Sequence, residues 1–98
     1  MSYFQLVLRA VKPELNINRS YTIYLNKGLF ESWVVMIAYG RYNVRGQQKN
    51  YPFFSIEDAK SFIKKTIHKR LRSEKRIGCN YTIVCQKASD DFYNLIGI

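Results

Sequence analysis

The sequence predicts an α+β domain: an antiparallel β-sheet of about five strands packed with one main α-helix over residues 56–72, and a short docked C-terminal tail. Three observations predict it. Apolar residues alternate with period 2 in several short stretches, the mark of half-buried strands. One stretch, from residue 55 to 72, carries them at helical spacing instead. The 98 residues, 47% hydrophobic and 15% aromatic, suffice for one core, and that richness in aromatics argues against disorder.

Taken in order, Tyr3 to Val11 alternates, with Phe4, Leu6, Leu8 and Ala10 on one face. Pro13, Asn16 and Asn18 are turn formers, so Lys12 to Arg19 reads as a loop. A second strand places Tyr21, Ile23 and Leu25 on one face and Thr22 and Tyr24 on the other, and Asn26-Lys27-Gly28 marks a turn. Trp33 to Tyr39 is apolar on both faces, which predicts a central strand. Gly40 to Gln48 is polar and basic and predicts a hairpin around Arg45-Gly46. Tyr51 to Phe54 returns, with Pro52 placing it at an edge.

Ser55 is a good N-cap for the helix, and Glu57 and Asp58 complement its dipole. Ala59, Phe62, Ile63, Ile67 and Leu71 form its apolar stripe. Gly78 ends the helical region, and Tyr81 to Cys85 is the last strand. The tail, Ser89 to Ile98, holds Phe92, Tyr93, Leu95, Ile96 and Ile98 and is too apolar to stay in water.

Sixteen Lys and Arg against seven Asp and Glu give a net charge of +9, which favours a polyanionic partner. Eight of the sixteen, Lys60, Lys64, Lys65, Lys69, Arg70, Arg72, Lys75 and Arg76, lie on the helix and its exit, where Glu74 is the one acid. A merely solvated face mixes both signs. The hairpin adds Arg41, Tyr42, Arg45 and Lys49, basic residues interleaved with an aromatic, suited to phosphate contact and stacking. Gly40 and Gly46 would admit close backbone approach. Tyr39 shares parity with Trp33, Val35 and Ile37, so it fits a core position and a ligand-facing one equally.

Other classes find little support. The longest uncharged apolar run, Trp33 to Tyr39, is far below the ~20 residues that span a bilayer. No membrane partner is expected, and the location expected is cytoplasmic. Cys79 and Cys85 are too far apart along an extended strand for a disulfide, and with His68 they are too few to hold structural zinc. No nucleophile, phosphate-cradling or metal motif occurs, so neither catalysis nor a cofactor is expected.

An ordered set of residues carries a family resemblance: Arg19-Ser20-Tyr21, Gly28-Leu29-Phe30-Glu31-Ser32-Trp33, Tyr39-Gly40-Arg41, Arg45-Gly46-Gln47, and Phe54-Ser55 before a helix with Ala59. From about Leu8 to Tyr81 the chain resembles the WGR domain, named for a Trp-Gly-Arg triplet and found in DNA-dependent poly(ADP-ribose) polymerases and in small stand-alone bacterial proteins. Tyr39 stands where that triplet has Trp, and Tyr42-Asn43 follows the arginine in place of the usual Ile-Gly.

The resemblance implies a sheet packed with one helix and a non-catalytic nucleic-acid-binding module, with DNA favoured over RNA and strand ends or breaks among the expected targets. Arg41, Arg45 and Lys49 would contact phosphates and Tyr42 or Tyr39 would stack. Gly40 lies within the motif, and Lys64, Lys65 and Lys69 would extend the footprint. The alternative is a protein-interaction or regulatory adaptor module, reaching a partner or a second copy through Phe92–Ile98.

Overall fold

Residues 3–88 are described by the computed structural model, the side chain of Arg76 excepted. Strand β1 (Phe4–Lys12) leads through a 3-10 turn at Pro13–Leu15 into β2 (Ile17–Lys27). Next come β3 (Trp33–Arg41), β4 (Gln47–Phe53), helix α1 (Ile56–Leu71), the short helix α2 (Glu74–Ile77) and β5 (Thr82–Ala88). The strands form one sheet in the order β4-β3-β2-β1-β5, antiparallel throughout. The expected docking of residues 89–98 lies outside the described residues.

The alternation in β1 is realised fully: Phe4, Leu6, Leu8 and Ala10 are completely buried. Tyr21, Ile23 and Leu25 of β2 and Val35 and Ile37 of β3 join them beneath Ala59, Ile63 and Ile67 of α1. Phe62 extends the seam onto the sheet edge, its ring 4.7 Å from Tyr51 and 5.3 Å from Phe53. Such aromatic pairs add about 0.5–1.5 kcal/mol each beyond the area that they bury.

Helix α1 begins where the sequence predicts. The Ser55 hydroxyl accepts from the backbone N–H groups of Glu57 (3.1 Å) and Asp58 (3.3 Å), satisfying two donors that the first turn leaves open. The helix starts beside Phe53 and ends where the Arg70 guanidinium lies 4.5 Å over the Tyr21 ring.

Two local expectations are corrected. The loop expected over Lys12 to Arg19 shrinks to a tight reversal, because Asn16 adopts a left-handed φ of 54°, which asparagine tolerates. Residues 17–20 therefore belong to β2. Strand β3 is second from the edge, not central, and among the described elements a helix covers only one of its faces. Val34, Met36 and Ala38 lie half-buried on the face turned away from α1. Pro52 sits on edge strand β4, where a missing donor costs no ladder bond. Among the described residues no helix is long and apolar enough to cross a membrane.

Candidate nucleic-acid interface

One end of the sheet gathers the close of β1, the opening of β2, the close of β3, the opening of β4 and the C-terminal ends of both helices. Its basic residues are Lys12, Arg19, Arg41, Arg45, Arg70, Arg72 and Lys75, against the acids Glu14 and Glu74. Within it Arg19 and Arg41 stand directly opposite each other on β2 and β3. Like charges so placed destabilise a sheet. The Arg41 guanidinium is held by the Asn16 carbonyl and the Asn16 Oδ1, both at 3.1 Å, and among the described residues no carboxylate meets its charge.

On the helix side these arginines border a cavity of about 720 Å³, walled also by Leu15, Tyr39, Ile77 and Tyr81. The Tyr39 ring is fixed at its rim. Its hydroxyl donates to Gln47 Oε1 at 2.7 Å, its ring packs 6.0 Å from Tyr21, and the Lys49 ammonium lies 5.8 Å from its centroid. Burial raises the Tyr21 phenol above its ordinary value of 10.0, against the pull of Arg70.

Gly40 sits between two faces. It takes a φ of +153°, and a Cβ there would stand 2.9 Å from the Gly46 Cα. A Cβ on Gly46 would strike the Tyr39 carbonyl oxygen. The two glycines thus let the hairpin close on itself, at the position where the sequence suggested room for a phosphate. The turn after Gly40 folds towards the sheet face away from α1. The Tyr42 N–H donates to the Asn18 carbonyl (2.8 Å) and the Val44 N–H to that of Arg41 (3.1 Å).

Tyr42 itself lies under Arg9, whose guanidinium is 3.7 Å from the ring centroid and donates to Asn18 Oδ1 at 2.8 Å. Beside this stack, a second cavity of about 510 Å³ is floored by Ser20, Thr22 and Ala38 and walled by Arg45 and Gln48.

The candidate residues therefore divide. Tyr39, Gly40 and Arg41 border both cavities and Lys49 lies by the Tyr39 ring, while Arg45 borders the second cavity and Tyr42 lies on that same face under Arg9. Lys64, Lys65 and Lys69 are exposed on the outer side of α1, and Lys69 is nearest to the arginine end. Arg19 and Arg9 were not among the candidates. Register would have found the first: once Lys27 pairs with Trp33, Arg19 falls opposite Arg41. Nothing in the sequence marks Arg9 as the support of Tyr42.

A search of curated proteins finds no match to this chain. A family model does match: the WGR domain, over residues 4–75. WGR domains are in general nucleic-acid-binding modules of poly(ADP-ribose) polymerase-like proteins. The sheet with its single main helix, the arginine end and the match over well over half of its residues together show that the chain belongs to the WGR domain family.

Proposed function

We propose that the chain binds DNA in preference to RNA, through the arginine end and without catalysing a reaction. One observation carries the reading: Arg19 and Arg41 stand face to face with five further basic residues around them and two acids. A fold that keeps this repulsion in the free protein gains most when a phosphate enters between the guanidinium groups. Tyr39 supplies an aromatic surface at the cavity rim, and the Arg9-supported Tyr42 supplies another on the opposite face. Stacking on such a surface contributes ~1–3 kcal/mol per base.

Fluorescence anisotropy across intact duplex, nicked duplex, phosphorylated-end and single-stranded probes, DNA and RNA, at two salt concentrations tests the proposal. Binding to DNA should weaken with salt, with a slope of roughly 0.9 per phosphate contact on duplex. Arg19→Glu/Arg41→Glu should weaken it at least tenfold. No binding to any DNA probe at low salt would overturn the reading, and so would equal affinity for RNA.

A further inference from the structure

The opposite end of the sheet presents a different surface. Leu29, Phe30 and Phe54 are 80%, 93% and 93% exposed, although side chains of these types are normally inside. Register brings them to one place. Lys27 pairs with Trp33 and Trp33 with Phe53, so the turn 28–32 and Phe54 leave the same end of three adjacent strands. This tip is built, not frayed. The Gly28 N–H donates to the Ser32 carbonyl (2.9 Å), and the Ser32 N–H and hydroxyl both donate to the Leu29 carbonyl, at 3.1 and 2.6 Å. Phe30 and Glu31 hold left-handed φ values of 55° and 60°. A bulky residue rarely accepts that conformation, and here it leaves a phenyl ring in water.

Charge singles out the same end. Across the whole chain the balance is +9, yet at the tip Lys27 and Lys60 are set against Glu31, Glu57 and Asp58. Two copies of a basic chain repel each other through their basic surfaces and least of all here. A rim of mixed sign also suits self-pairing, because each copy meets its own opposite charges across a two-fold axis. Area agrees. Aromatic side chains bury about 150–250 Å² each, so Phe30 and Phe54 with the smaller Leu29 offer at most roughly 500 Å² per copy. Full coverage in two copies would bury roughly 1,000 Å², the threshold for a specific interface.

We propose that this tip is a homodimer contact, in which Leu29, Phe30 and Phe54 pack against the same surface of a second copy. The two-fold would turn the arginine ends outward, giving one assembly two nucleic-acid sites.

Sedimentation velocity of the full chain from micromolar to millimolar concentration, without nucleic acid, is the test. The wild type should pass from monomer to dimer mass. Phe30→Ser/Phe54→Ser should dimerise at least tenfold more weakly, with unchanged circular dichroism and unchanged affinity for a short single-site duplex. Phe92→Ser/Ile96→Ser should dimerise as the wild type does. A wild type that stays monomeric at millimolar concentration overturns the proposal, and so does a dimer lost with Phe92 and Ile96 but kept without Phe30 and Phe54. Because the readout needs no nucleic acid, its failure is separate from failure of the DNA-binding reading.

Discussion

A methyl group on Gly46 would collide with the carbonyl oxygen of Tyr39, and one on Gly40 would stand 2.9 Å from the Gly46 Cα. Gly46→Ala should therefore destabilise the protein by about 1–3 kcal/mol, read from urea denaturation, because the neighbour that must move is backbone. Affinity for a DNA probe should fall with it, since the hairpin carries both Arg41 and Arg45. Tyr21 offers a test in pH. Burial raises its phenol, so the neutral form contributes stability that is present below 10.0 and lost as pH rises through the higher folded value. Tyr21→Phe has no such group. The difference in Tm between wild type and Tyr21→Phe should stay constant to about pH 9 and then move against the wild type.

At the scale of elements, Ser55 does for α1 what the sequence says it should, so Ser55→Ala should cost about 1 kcal/mol, measured by chemical denaturation, while Ser55→Thr, which keeps the hydroxyl, should restore most of it. The Glu57 carboxylate lies below its ordinary range, chiefly through its own backbone N–H and then through the Ser55 hydroxyl. A depressed carboxylate stabilises above its unfolded value and loses that contribution as pH falls through the folded one. The penalty of Ser55→Ala should accordingly shrink in acid.

Such elements were legible because period and cap chemistry are local. The β1 alternation, the helix stripe and the edge position marked by Pro52 all come from residues within a few positions of one another. The extent of β2 was not legible, since a left-handed Asn16 decides it and nothing nearby announces that choice. Apolar residues on both faces of β3 suggested a strand covered on both sides, but Val34, Met36 and Ala38 are only half-buried and no described helix lies over them. The site was legible as a motif, in Tyr39-Gly40-Arg41, and not as a surface. Whether Arg45 stands beside Arg41 or behind it depends on how the turn folds, and the partner of Arg41 proved to be a residue 22 positions earlier.

For the whole molecule, the basic excess is graded from one end of the sheet to the other. Arg19→Glu/Arg41→Glu and Lys64→Glu/Lys65→Glu lower the net charge equally. If total charge governed affinity, both would weaken DNA binding alike; with the anion seated at the arginine end, the first should lose at least tenfold more in an anisotropy titration. Sulfate or a short polyphosphate should also raise Tm more than chloride of equal ionic strength, since a bound anion relieves the repulsion between Arg19 and Arg41.

Sheet order bears on how the chain reaches this state. As synthesis proceeds, β1 to β4 can form as successive hairpins, each strand beside the one made just before it. Strand β5 breaks that rule: it returns to β1, pairing Ala88 with Phe4. Until the ribosome has released residues 82–88, one margin of β1 stays unpaired, next to some of the most buried side chains of the protein. Closing the sheet is thus a late, long-range event, and before it a nascent chain offers a newly made neighbour a strand to pair with.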